Sequence, residues 1–288
     1  GFIASDADGD TVLLGRGGSD TSASCLAAKI AAERLEIWTD VHGMFSADPR
    51  VANSARLIRT LRYDEAQEIA SAGGSVLHPR CVTPVRKASI PMLVGNTAHP
   101  ESMGTLISDS PDDDAAQLKA ICCRNGLTLI SMQSMDMWQQ VGFLAEVFDA
   151  FRRHGVCIDL VATSESNVTA SIDTDGDAVE SSTVQVLVAD LNQLCNVTVI
   201  PDCTAVSLVG RNISGVLHTI GPALRAFEGE KMHLVSQAAN GLNLTFVVDT
   251  DEANPLVAEL HSLLIDQFAD DQVFGPTWLE LTPAGAGK

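Results

Sequence analysis

The chain has 288 residues, 45% of them hydrophobic and 19% charged, with a formal net charge of −19. That is long enough for more than one core and too apolar for a disordered polymer. A surface this acidic, with no Lys/Arg stripe to offset it, repels nucleic-acid phosphates and anionic bilayers, so neither nucleic acid nor a membrane is expected as a partner. The seven cysteines include no Cys-x-x-Cys pair and lie mostly in apolar runs. They read as reduced, buried thiols of a cytoplasmic protein, and no metal-ligand set stands out. No apolar run reaches the about 18 residues of a membrane span, and no signal peptide is recognisable. Gly1-Phe2-Ile3-Ala4 lacks a Met and reads like the interior of a domain.

In chain order, strand-like Thr11-Val-Leu-Leu14 runs into Gly15-Arg16-Gly17-Gly18-Ser19-Asp20, and an Ala-rich helix is expected over 21–34 before a second strand over 35–40. Glycines where a strand turns into a helix leave several N–H groups and the positive end of the helix dipole facing one spot, which suits an anion. Arg16 adds a planar fork for a carboxylate or phosphate. A tight turn with Ser19 or Asp20 as helix N-cap accounts for the same residues. Thr39 and Asp40 follow at the C-terminal end of a strand, where open α/β sheets place ligands. Phe45, Asp48 and Arg50 then offer an aromatic ring, a carboxylate and a cation in a short stretch.

Residues 109–117 form an acidic, Pro-containing linker between regions 1–108 and 118–270. The later region contains an internal repeat. Gly142-Phe-Leu and Gly215-Val-Leu each open a helical pattern, preceded by strands over 127–134 and 205–210. Each is followed by a hairpin pattern (158–164 with 168–173, then 232–237 with 242–249) and a closing helix (183–195, then 254–268), with 197–200 a last strand for the first copy. Two ferredoxin-like βαββαβ modules in tandem are expected.

Four ordered motifs, Gly15-Arg-Gly-Gly-Ser-Asp20, Trp38-Thr-Asp-Val41, Asp48-Pro-Arg50 and Val76-Leu-His-Pro79, together resemble the aspartate kinases of the amino-acid kinase superfamily. Gly142-Phe-Leu-Ala-Glu-Val-Phe148 with Asp159-Leu-Val-Ala-Thr-Ser-Glu165 resembles the first ACT module of the lysine-inhibited members. The resemblance implies an α/β chain: the C-terminal part of an amino-acid kinase α/β/α sandwich (1–108), the linker, a first ACT module (118–203), a second (204–270), and a tail or fusion junction (271–288). Strand 118–124 is expected to pair into the second module. The tail resembles the junction of bifunctional aspartate kinase–diaminopimelate decarboxylases.

The implied activity is ATP-dependent phosphorylation of the side-chain carboxylate of L-aspartate, with Mg2+ accompanying the nucleotide. By resemblance, Arg16, Ser19 and Asp20 sit at the aspartate and transfer site, and Thr39, Asp40, Phe45, Asp48 and Arg50 at the nucleotide. Ser75 stands where many relatives carry a nucleotide-contacting lysine, with Arg80 or Lys87 as candidate replacements. L-Lysine is the implied inhibitor, bound between first modules of a homodimer or larger oligomer. Its lining would be Met137, Gln140, Gly142, Phe143, Leu144, Ile158, Asp159, Ser164 and Glu165. Phe143, Leu144, Val147 and Phe148 also read as an ordinary core stripe, and His233 stands in the second copy where the first has Asp159. The family's Lys-Phe-Gly-Gly motif is absent, so the chain alone is expected to be inactive. The alternative is a non-catalytic, amino-acid-binding regulatory subunit, in which the motifs between 16 and 50 would be surplus.

Overall fold

The structure is a computed structural model that describes residues 1–109, 117–134, 141–174, 181–215, 221, 224–229, 231–267 and 270–282. Met137, Gln140 and most of the expected linker lie outside these residues.

The first region is built on a mixed four-stranded sheet in the order β3-β6-β7-β5. Strands β3 (Leu35–Thr39) and β6 (Met92–Asn96) are parallel, β7 (Thr105–Ile107) runs antiparallel to β6, and β5 (Thr60–Leu61) is parallel to β7. The strand before the Gly-rich loop does not join this sheet, which corrects the continuous β-loop-α-β unit expected from sequence. Instead β2 (Thr11–Leu13) pairs with β1 (Ile3–Ser5) as a hairpin. The Asp6 carboxylate closes its turn by accepting the N–H groups of Asp8 and Asp10 at 3.0 and 2.9 Å. This local Asx-type bonding outcompetes a longer-range pairing.

Helix α1 (Gly18–Lys29) starts and ends earlier than expected. Its N-cap is Gly17, in the left-handed region at φ 66, so neither Ser19 nor Asp20 caps it. It buries a face of small residues, Gly18, Ser24 and Ala27, and the Ser24 hydroxyl donates to the Cys81 carbonyl. Helices α2 (Tyr63–Ser71) and α3 (Val82–Lys87) complete this layer.

The second region is one antiparallel six-stranded sheet, ordered β12-β13-β11-β8-β10-β9. Its two central strands are long: β8 (Gln117–Gln133) and β11 (Asn196–Arg211) pair along their lengths. The pairs of short strands expected at 118–124 with 127–134, and at 197–200 with 205–210, are therefore single strands. Pro201-Asp202 lies between the strands expected over 197–200 and 205–210. In the structure it is a register shift between Ile200 and Cys203, with Asp202 at φ 54, that bends the strand without ending it. The expected division between 203 and 204 falls inside β11. Residues 120–123 of β8 pair with 206–209 of β11.

One end of this sheet carries helices α4 (Phe143–Arg153) and α5 (Ser181–Leu191). Phe143, Val147, Ala150 and Phe151 recur at helical spacing and pack on Ile130, Met132, Val168, Ala170 and Ile172. Strands β9 (Val161–Thr163) and β10 (Asn167–Asp173) complete that end. At the other end, β13 (Asn243–Asp249) borders β11 and β12 (Leu234–Gln237) borders β13, and α6 (Thr250–His261) continues into a π turn over Ser262–Asp266. Leu256, Val257 and Leu260 of α6 share one core with Ala120, Ile121 and Leu208 of the sheet and with Met44, Leu57 and Ile69 of the first region.

Residues 271–282, expected as a tail or junction, fold back on the first region. Strand β14 (Phe274–Thr277) pairs with β4 (Arg56–Ile58). Arg56 Nε donates to the Gly275 carbonyl at 2.9 Å and Arg59 Nε to that of Phe274 at 3.0 Å. A short helix, α7 (Trp278–Leu281), follows, capped by Thr277 and Glu280.

A buried ion pair also joins the two regions. Lys119 Nζ of β8 lies 2.8 Å from Glu65 Oε2 of α2, with side chains 3% and 0% exposed, and donates to the Thr60 carbonyl at 3.2 Å. Arg211 Nε of β11 approaches Glu65 Oε1 at 3.5 Å. Burial lowers the Lys119 pKa against the opposing pull of Glu65. Glu65→Gln strands two cations in this joint, and loss of one partner of a buried pair costs ~3–5 kcal/mol. Urea denaturation should show a loss of that order, partly recovered when Lys119→Met is added.

Candidate functional site

The C-terminal ends of the parallel strands β3 and β6 are tied together. Thr97 donates its N–H (2.8 Å) and hydroxyl (3.0 Å) to the Thr39 carbonyl, and Asn96 Nδ2 donates to that of Asp40 at 3.3 Å. The chain leaving β3 then forms one wall of a cavity of about 750 Å³. The turn 73–76, residues 121–123 of β8, and Trp278 with Leu279 form the others.

Five of the six residues assigned to the nucleotide from sequence line this cavity: Asp40, Phe45, Asp48, Arg50 and Ser75. Thr39 lies at its edge, its hydroxyl donating to Asp40 Oδ1 at 3.0 Å. Asp48 and Arg50 form a closed unit in which Arg50 donates from its backbone N–H (2.9 Å), Nε (3.0 Å) and Nη2 (2.7 Å). These bonds hold the Asp48 carboxyl below the usual carboxylate range, against burial. Phe45, expected to face a base, is mostly buried, its ring edge-on to Trp278 at 5.3 Å between centroids. Arg80 and Lys87 are exposed and do not line the cavity.

The Gly-rich loop lies on a second motif. A Cβ added at Gly17 would sit 2.2 Å from the His78 side chain, so the loop can rest on His78 only with Gly there. Arg16 and Ser19 are exposed, while Asp20 is half-buried and its charge adds to burial in pushing the Cys81 thiol up to about 12. The loop does not line the cavity wall. Ser75 and His78 are three residues apart, a reach of at most about 11 Å, so the two groups of motif residues are neighbours on one segment. That segment is itself clamped from behind. A Cβ at Gly73 would lie 2.0 Å from the Cys123 carbonyl oxygen of β8.

A divalent cation that accompanies a nucleotide needs oxygen ligands and commonly uses one or two carboxylates together with the phosphates. Asp48 is occupied by Arg50, but the exposed Asp40 carboxylate has no cationic partner among the described residues. The donor set fits such an ion at Asp40.

Of the residues assigned to the effector, Gly142 is the N-cap of α4, with open space where a Cβ would stand. Phe143 is core and Leu144 is exposed. Ser164 and Glu165 are exposed in the turn between β9 and β10. Asp159 is not a free acid: Arg124 Nη2 of β8 lies 3.3 Å from its Oδ2. Ile158 packs partly against the α4–α5 core.

Two contributors escaped the sequence. Trp278 seals one side of the cavity; its only sequence signal was an aromatic within Phe274-Gly-Pro-Thr-Trp278. His261, fully buried at the end of α6, holds the loop that carries Asp48. Its Nε2 lies 2.8 Å from Ser46 Oγ, and its Nδ1 lies 3.3 Å from Ser54 Oγ and 3.4 Å from Asp266 Oδ1. Ser46 Oγ already accepts the Arg56 N–H at 2.9 Å, which frees its proton for Nε2. A neutral ring protonated on Nδ1 satisfies every partner.

Among the described residues, no helix is long and apolar enough to cross a membrane.

Residues 1–96 match the amino acid kinase family. The chain is 36% identical over 268 residues to the lysine-sensitive aspartokinase 3 of Escherichia coli (strain K12), covering 92% of this chain and 60% of that protein. It is similar to the crystal structure of E. coli aspartokinase III in complex with aspartate and ADP, with a TM-score of 0.82 at 36% identity, over 92% of this chain and 59% of the other. The corresponding values for the complex with lysine and aspartate are 0.75 and 35%, with the same coverage. The chain thus spans about three-fifths of these relatives, and the likeness supports the aspartokinase family.

Burial pulls the His261 pKa below 6.5, with Asp266 opposing. A depressed folded pKa gives stability that is complete above the unfolded value and is lost as pH falls through the folded one. The unfolding free energy from urea denaturation should therefore fall as pH drops below about 6.5, by up to ~1.4 kcal/mol per pH unit from this residue. His261→Gln should flatten that part of the profile and leave the contribution of His42, whose pKa burial and His99 also lower against Glu101.

Proposed function

We propose that this chain is a segment of an aspartokinase, an enzyme that transfers the γ-phosphoryl group of ATP to the side-chain carboxylate of L-aspartate. The product, 4-phospho-L-aspartate, would feed lysine, threonine and methionine synthesis. The observation that carries this reading is the cavity at the β3 and β6 strand ends. It gathers Asp40, Asp48, Arg50 and Ser75, next to the Arg16–Asp20 loop, on a fold similar to an aspartokinase solved with aspartate and ADP.

A carboxylate nucleophile is already ionised at neutral pH, so the residues act by positioning and by neutralising charge. Arg16 suits the substrate carboxylate as a planar, two-pronged donor. Arg50 offers its exposed face to phosphate while Asp48 fixes the angle of its guanidinium. Asp40, steadied by Thr39, would hold Mg2+, which when bound neutralises phosphate charge. Trp278 and Phe45, in edge-on contact, line the cavity together with Ser75.

Regulation follows from the six-stranded sheet, which we read as two interleaved ACT modules, 118–203 and 204–270, that pair with a second copy. L-Lysine would place its α-carboxylate at the start of α4, beside Gly142, with its ammonium toward Glu165. Asp159 then acts through Arg124 instead of touching the effector directly. Arg124 follows Cys123, whose carbonyl abuts Gly73, two residues before Ser75. That run of contacts supports a path from effector to nucleotide, with a coupling of about 1–3 kcal/mol.

ADP release that depends on both ATP and L-aspartate tests the activity in the full-length protein carrying these residues. Arg16→Ala should raise the KM for aspartate about tenfold or more, ~1.4 kcal/mol of binding, and leave the KM for ATP nearly unchanged. Arg50→Ala should do the reverse. Equal loss for both substrates in both variants would contradict the assignment.

Calorimetry with L-lysine and L-threonine tests the effector. Lysine should bind, Glu165→Gln should weaken it about tenfold, and Asp159→Asn should leave binding largely intact while weakening inhibition. Binding of threonine alone would overturn the lysine reading.

A further inference from the structure

Three side chains of unlike chemistry converge on the six-stranded sheet at the bend of β11, outside the cavity. Cys203 opens the part of β11 that pairs with β13 and is the Cα partner of Asp249. His233 directly precedes β12, and its N–H donates to the Val247 carbonyl at 2.8 Å. Their ligating atoms, the Cys203 sulfur, a His233 ring nitrogen and an Asp249 carboxylate oxygen, all lie within 4.8 Å of one another.

The bend in β11 produces this convergence. The register shift before Cys203 and the left-handed Asp202 at φ 54 re-aim the strand at this point. Such a backbone persists in a non-glycine residue only when its surroundings hold it. Here Thr250 Oγ1 donates to the Asp202 carbonyl at 2.8 Å.

Burial grades outward across the cluster. Cys203 is fully buried, the His233 side chain is 3% exposed, and that of Asp249 is 53% exposed. The two softer donors thus form the floor and the carboxylate the mouth. His233 Nε2 and Asp249 Oδ1 hydrogen-bond at 2.7 Å, which holds both side chains facing one point, and a bound cation would replace the shared proton. We infer that Cys203, His233 and Asp249 bind one zinc-like divalent cation that ties together three adjacent strands.

Donor chemistry selects the ion. A thiolate, an imidazole and a carboxylate suit borderline-soft Zn2+, whereas Mg2+ and Ca2+ demand oxygen alone. Three protein ligands leave a fourth tetrahedral position for water on the open, Asp249 side. The thiolate and the carboxylate together balance a divalent charge; around them, Asp202 adds a negative field and Lys231 a positive one. Without an ion, burial and the two carboxylates push the Cys203 thiol up to about 11. Binding must then expel a proton, and affinity should rise about tenfold per pH unit near neutrality. The site is independent of the proposed kinase activity.

Cobalt(II) titration of the metal-stripped chain tests this. One equivalent should give tetrahedral visible bands with a sulfur-to-cobalt charge-transfer band, and zinc should displace both. Cys203→Ser should abolish the charge-transfer band, whereas substituting the exposed Cys25 or Cys157 with Ser should leave it unchanged. Asp249→Asn, at a largely exposed position that the fold tolerates, should weaken binding on the order of tenfold or more. Zinc should raise the Tm of the parent chain and leave that of His233→Gln unmoved. A charge-transfer band that survives Cys203→Ser, or no tetrahedral cobalt at micromolar concentrations, would overturn the site.

Discussion

The antiparallel ladder between β8 and β11 is the constraint to which every other element answers. Each strand runs sixteen or seventeen residues, and the two ends of the ladder lie in different surroundings. The end at Ile130 and Met132 is the floor for α4 and α5. The end at Ala120 and Ile121 is sealed between α6 and the first region. A pleated ladder does not stretch, because its register is fixed by paired backbone bonds and by the side-chain alternation they impose. A shift at one end therefore has to appear at the other or break the pairing. Inserting the sheet into the first region is what gives the cavity its back wall.

Close packing and charge both hold that junction. Gly73 and the Cys123 carbonyl leave no room for even a methyl group between the segment bearing Ser75 and the sheet. Glu65, at full burial, requires Lys119 and draws Arg211 toward it. Buried charges of this kind add little net stability over well-packed apolar groups, but mismatched registers strand them and are strongly disfavoured. The joint thus fixes which residues of β8 face α2, which in turn places Cys123 behind Gly73.

Legibility in the sequence followed the range of the interactions. Helix α4 was readable because Phe143, Val147 and Phe151 declare one face locally, and the hairpins because alternation is a short-range signal. Thr39, Asp40, Asp48 and Arg50 were readable as a group because one strand end and one loop carry them. The merging of short strands into β8 and β11 was not, since Pro201-Asp202 is chemically a turn and only pairing with β8 makes it a bend. Nor were Trp278 and His261, which reach the loop 42–55 across more than two hundred residues of chain. Asp159 illustrates a further limit: its carboxylate could be foreseen, but not that Arg124 would claim it.

The pairing of β14 with β4 also has a bearing on how the molecule is made. Arg56 and Arg59 precede their partners at Phe274 and Gly275 by more than two hundred residues of chain. Through synthesis of the intervening sheet, the loop from Asp40 to Arg50 has neither Trp278 beside it nor His261 beneath it. The cavity beside that loop therefore closes only after the intervening sheet has been made. A nascent chain interrupted before residue 278 would carry Asp40, Asp48 and Arg50 with the cavity open on one side, which makes the segment 271–282 a checkpoint on completion of that wall.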